Sequence, residues 1–163
     1  MEKSVAVKHQ SLRLERGFDE FTRRLEGSLR RFDARTLPSF KDDPKAAEES
    51  LRALAGGDGL LLFDVLDHGS LLALHGAPRK AKQYVVGNPL IAARMTRHDV
   101  RAALYAPLRL LAFERDDGAV GVEFDLPSSL FGQFRSAEID AVASSLDLKL
   151  LELIERAASD AKP

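Results

Sequence analysis

The chain contains no cysteine, which removes thiol catalysis, iron–sulfur ligation, disulfides and any zinc site built on thiolates. No apolar run approaches the roughly 20 residues that a membrane helix needs. The opening, Met1 to Gln10, lacks the apolar stretch of about 7–15 residues that marks a signal peptide. A soluble cytoplasmic protein without a membrane partner is the expectation. A formal net charge of -1 gives no global pull toward nucleic acid. Aromatics interleaved with basic residues, the mark of an RNA-binding strand, are missing as well. Neither G-x-G-x-x-G nor G-x-x-x-x-G-K occurs, and no serine sits in a G-x-S-x-G elbow.

What remains is enough for one substantial core. A chain of 163 residues with 45% hydrophobic content reads as a single domain over 1–163, its core spanning about 8–157. Charge is unevenly spread: Arg79 to Arg109 carries a basic excess, whereas acids dominate from Leu110 onward. If the two stretches pack side by side, this is internal pairing.

Periodicity orders the elements. Val7 to Leu14 reads as a strand. Gly17 then opens a helix whose stripe runs Phe18, Phe21, Leu25, Leu29 and Phe32. Asp43-Pro44 and Gly56-Gly57 bracket a second helix with a capping acid, proline at its first position and glycine at its end. Its apolar face is thin, so 36–59 reads as a peripheral insertion, either spacer or lid. Leu60 to Leu66 suits an interior strand interrupted by Asp64. Asp67 caps a short helix ending at Gly76, and Gln83 to Val86 is a further strand. Pro89 opens a helix through Ile91 and Met95 toward Val100. Leu108 to Glu114 and Ala119 to Phe124 flank Asp117-Gly118 as a hairpin, and Ser136 caps a long helix through Ile139, Leu146, Leu150 and Ile154. The order predicts an α+β fold: a twisted, mainly antiparallel sheet with the first and last helices on one face.

Three polar punctuations interrupt this pattern: Asp67-His68, Gly87-Asn88-Pro89 and Asp125-Leu126-Pro127-Ser128-Ser129. With their surroundings, Val65-Leu66-Asp67-His68, Tyr84 to Ile91, Leu104 to Gly118 and Val122 to Ser129, the chain resembles the bacterial family of domain of unknown function 302. The resemblance runs from about Lys8 to the end of the last helix. It implies a TATA-box-binding-protein-like fold, and no activity. Against that family the chain carries a longer link, Leu37 to Gly59, which leaves a shared oligomer surface such as a homodimer open. Gly87 stands where some members carry cysteine, so a thiol is not needed here.

Each punctuation has a structural and a chemical reading. Asp67 caps a helix, or with His68 contributes to an acid–base or binding site. His68 and His75 alone fall short of the three or four ligands a metal motif requires, and a heme or other cofactor has no better support. Asn88 caps a helix, or lies at an anion site formed by the helix N-terminus and helped by Arg94, Arg97 and Arg109. Asp125 and the two serines form a turn, since neither serine has a nucleophile's setting. Tyr105 and Phe131 read as packing residues. Because each of these polar groups falls where an apolar run stops, Asp67, His68, Asn88 and Asp125 are expected around one concavity, with Arg109 or Arg94 close enough to attract an anion. A binding or sensory module for a small anionic molecule is the first expectation. A small hydrolase or isomerase using His68, and a protein-interaction domain, are the alternatives.

Overall fold

A computed structural model of the chain describes residues 4–57 and 59–159. Six strands form one open sheet in the order β1-β6-β5-β4-β3-β2. They are β1 (His9–Leu14), β2 (Arg30–Arg31), β3 (Leu61–Asp67), β4 (Ala81–Gly87), β5 (Leu108–Glu114) and β6 (Val120–Asp125). All neighbours pair antiparallel except β2 and β3. The helices are α1 (Phe18–Gly27), α2 (Pro44–Ala55), α3 (His68–Leu71), α4 (Pro89–Thr96), α5 (Pro127–Phe131) and α6 (Ala137–Ala158). None is long and apolar enough to cross a membrane among the described residues.

Strand alternation divides the sheet into two faces. Leu108, Leu110 and Ala112 of β5, Val120, Val122 and Phe124 of β6, and Tyr84 and Val86 of β4 point into the core. There they meet Phe18, Phe21 and Leu25 of α1 and the α6 row Ile139, Val142, Leu146, Leu150 and Leu153. The expected α+β arrangement, with the first and last helices over one face, is what forms. Tyr84 is fully buried, and its hydroxyl donates to Glu26 Oε1 at 2.8 Å. Burial and that carboxylate both drive the phenol's pKa upward.

Local chemistry explains the helix boundaries. Asp43 accepts from the Ala46 amide, and Gly56 closes α2 in the left-handed region at φ 63°. Ala47 and Leu51 of this helix are fully buried, and the helix packs against α4. The hairpin turns at Gly118, φ 81°, and Ser136 Oγ accepts from the Ile139 amide at the start of α6.

The structure corrects the sequence at three boundaries. The first helix stops at Gly27 instead of reaching Phe32. Ser28 caps it, its hydroxyl donating to Leu25 O at 2.8 Å, and Arg30–Arg31 then leaves as a strand parallel to β3. Leu29 still packs against the core from outside the helix, and Phe32 stacks on Phe63 with ring centroids 4.5 Å apart. The fourth helix ends at Thr96, after which Asp99 caps a 3-10 segment, Val100–Tyr105, leaving Val100 exposed. The stretch after Asp125 is a short helix rather than a plain turn, with Pro127 in its first turn and Phe131 fully buried. In β3 a bulge between Leu62 and Asp64 turns Asp64 to the surface.

Candidate functional site

Among the described residues the α1 and α6 side chains of the core meet one sheet face, and the residues of the other face follow from the register. β1 contributes His9, Ser11 and Arg13; β6 contributes Glu123 and Asp125; β5 contributes Arg109, Leu111 and Phe113; β4 contributes Gln83 and Val85. None of these is fully buried. A groove of about 260 Å³ lies here, with His9, Gln83, Arg109, Glu123 and Asp125 as its polar lining. Leu104, Tyr105, Leu111 and Leu130 supply apolar walls, and Tyr105 is held edge-on by Phe131 at 6.1 Å.

The polar residues of the groove differ in how they are committed. His9 pairs in register with Asp125. Its Nδ1 lies 2.9 Å from Asp125 Oδ1 and its Nε2 2.6 Å from Glu123 Oε2. Carboxylates only accept, so both ring nitrogens donate and the imidazolium form is favoured. Hydrogen bonds from Asp125 first and Glu123 second raise the His9 pKa above its ordinary 6.5. Leu110 pairs with Phe124, which makes Arg109 and Asp125 the next pair toward the same end. Yet Asp125 is taken by His9, and Arg109 makes no hydrogen bond or ion pair among the described residues. Arg109 lines the groove, and its donors are open there among the described residues.

Gln83 is the second donor. It opposes Leu111, while Arg109 opposes Val85, so Gln83 and Arg109 are diagonal neighbours about 7–8 Å apart at the backbone. Gln83 Oε1 accepts from His68 Nε2 at 2.9 Å, because an amide oxygen has no proton to give. That bond orients the amide and leaves its NH₂ free. His68 thus reaches the groove indirectly, as a residue that positions Gln83.

The remaining expected site residues lie elsewhere. Leu61 pairs with Gly87 and Asp67 with Lys82, so Asp67-His68 and Asn88 stand at opposite ends of the β3–β4 pair, about 20 Å apart along the strands. The single concavity expected around Asp67, His68, Asn88 and Asp125 does not form, because antiparallel neighbours end at alternate edges. Asp67 Oδ1 caps α3 by accepting from the Ser70 amide at 2.9 Å, and its other oxygen accepts from the Ser70 hydroxyl. The Ser70 hydroxyl and amide hold its carboxyl below the ordinary value. Gly69 permits this docking of α3: a Cβ there would stand 2.0 Å from the Arg79 carbonyl oxygen.

Asn88 is 4% exposed and structurally occupied. Oδ1 accepts from the Leu90 and Ile91 amides, and Nδ2 donates to Gly59 O at 2.8 Å. With Pro89 lacking an N–H and the Ala92 amide bonded to Asn88 O, the N-terminus of α4 offers no free donor to an anion. Asn88 also borders a second, apolar cleft of about 300 Å³ between α4, the 3-10 segment and Phe131. Arg97 Nε is turned onto His98 at 3.1 Å, and Arg94 has interactions of its own. Among the described residues no group of three His, Asp or Glu is placed to hold a metal ion.

His9, Glu123, Gln83 and Tyr105 complete the groove beyond the residues the sequence singled out. Alternation in His9-Gln-Ser-Leu and Val122-Glu-Phe-Asp125 already puts His9, Glu123 and Asp125 on solvent faces, but the pairing of His9 with Glu123 and Asp125 across 114 and 116 residues is a matter of register. The clasp has a measurable signature. A pKa raised on folding contributes stability that is complete below the unfolded value, about 6.5, and fades as pH rises through the folded value. The denaturation-midpoint gap between wild type and His9→Gln should therefore shrink from about pH 6 to pH 9. A gap independent of pH would mean that His9 is not held as an imidazolium.

Comparison with known proteins agrees with this architecture. A family model described as Domain of unknown function DUF302 matches residues 35–157, a span that includes α2. Among solved structures, the chain is similar to an uncharacterized conserved DUF302 protein from Bacillus stearothermophilus. The TM-score is 0.64 at 17% identity, over 91% of this chain and 97% of that one. That identity speaks for the fold alone. No curated protein matches the chain.

Proposed function

The chain belongs to the DUF302 family, and on that premise we propose that it is a binding module for a small anionic molecule taken up in the groove on the open sheet face. Arg109 supplies the charge, and Gln83, oriented by His68, supplies neutral donors beside it. The observation that carries the reading is the Arg109 guanidinium, unpartnered in a groove whose two carboxylates are both committed to His9. A planar fork of donors next to apolar walls suits a carboxylate. The support for a hydrolase or isomerase centred on His68 is weaker, since its Nε2 is spent on Gln83 and Asp67 is spent on Ser70.

A thermal-shift series with butyrate, succinate and inorganic phosphate tests this. At least one of these should raise the melting temperature of wild type, as any ligand that binds only the folded state must. Arg109→Gln should melt close to wild type, because its side chain has no hydrogen bond or ion pair to lose among the described residues, and should not respond to the anion. An unresponsive wild type, or an equal response in Arg109→Gln, would remove the proposal.

A role in protein interaction, including a homodimer, has separate support in the exposed leucines Leu66, Leu71, Leu72 and Leu74 at one end of the sheet. Sedimentation velocity over a concentration series reads it directly.

A further inference from the structure

The apolar cleft beside the groove bears on what kind of anion would bind. Its wall includes Phe63, Ile91, Met95, Ala103 and Phe131, and its volume is about 300 Å³. The side chain of Asn88 is already bonded to backbone on three sides, so the cleft offers a ligand almost no polar contact. Pro107 and Leu108 line both this cleft and the Arg109 groove, and Arg109 follows them directly in β5. Glycine at position 87 lets Pro107 lie close against β4. A Cβ there would lie 3.2 Å from Pro107 Cβ and 3.6 Å from the Phe63 ring, against the cleft lining.

We infer that the ligand is an amphipathic carboxylate, its head on Arg109 and Gln83 and its apolar chain laid over Pro107 into the cleft. This rests on the anion reading of the groove and adds a chain to it. An apolar cleft gains from a ligand by taking hydrocarbon out of water, and a charged head alone would leave it empty. A wholly apolar ligand would leave the Arg109 donors unused. Only a molecule with both parts uses the two adjoining surfaces.

Calorimetric titration of the full chain with butyrate, decanoate and decanol separates the parts. Decanoate should bind at least about tenfold tighter than butyrate, because each added methylene removed from water favours binding. Ala103→Leu and Ala92→Leu, which extend side chains from the rim into the cleft, should reduce that advantage while leaving butyrate affinity as in wild type. Arg109→Gln should weaken both acids at least about tenfold, the loss expected for one charge-assisted hydrogen-bond pair, and leave decanol unchanged. Equal affinity for butyrate and decanoate would overturn the chain and spare the anion site. Decanoate binding no tighter than decanol, and indifferent to Arg109→Gln, would overturn the anion site and with it the amphipathic ligand. Binding of none of the three would overturn both.

Discussion

Phe21→Ala should lower stability by about 3–5 kcal/mol, the range for removing a buried phenyl ring from a packed core. Phe21 is fully buried at the centre of α1, among the side chains joining that helix to β5 and α6. Truncation removes the ring's transfer free energy and leaves a cavity that two packed layers cannot close. Urea denaturation reads the effect as a lower midpoint at constant slope. Phe32→Ala is the control. Sequence spacing puts Phe32 on the same stripe, but the ring sits half-buried on Phe63 outside the helix, and its loss should cost clearly less. Equal costs for the two would mean that α1 continues past Gly27 in solution.

That contrast shows which parts of the fold are legible in a sequence. Features decided within a few residues were readable: the Asp43-Pro44 start and Gly56 end of α2, the Gly118 turn, the Ser136 cap and the Asp67 cap. Each is a side chain or a φ angle satisfying its own neighbourhood. Spacing located the buried stripe of α1 but not its end, because Leu29 and Phe32 fall on the helical period by position while the chain has already left the helix. A two-residue strand such as β2 carries no period at all. The candidate site divides along the same line. Arg109 and Asp125 were visible as polar residues where apolar strands begin and end. The partners that define their chemistry, His9 and Glu123, arrive from β1 and β6 through a register that no local signal encodes. The same register sends Asp67 and Asn88 to opposite ends of the sheet.

Asn88→Ala should cost about 1.5–5 kcal/mol, from an N-cap worth about 0.5–2 and a part-buried carbonyl left without its donor at about 1–3. The amides of Leu90 and Ile91 lose their acceptor, and Gly59 O loses the Nδ2 that ties the segment after α2 to the start of α4. Asn88 itself is 4% exposed, so these bonds are largely shielded from water at its side chain. The loss should be one of stability alone: at a temperature where the variant is folded, its affinity for a groove carboxylate should match wild type. Arg109→Gln should behave in the opposite way, because a guanidinium with no hydrogen bond or ion pair among the described residues gives its donors to a ligand and not to the fold. The sequence puts Asn88 and Arg109 in the same candidate anion site, and their different environments should separate them in one pair of experiments. If Asn88→Ala were as stable as wild type and blind to carboxylate, its hydrogen bonds to Leu90, Ile91 and Gly59 could not be its principal role, and the binding site would belong at the end of β4 instead of on the open face.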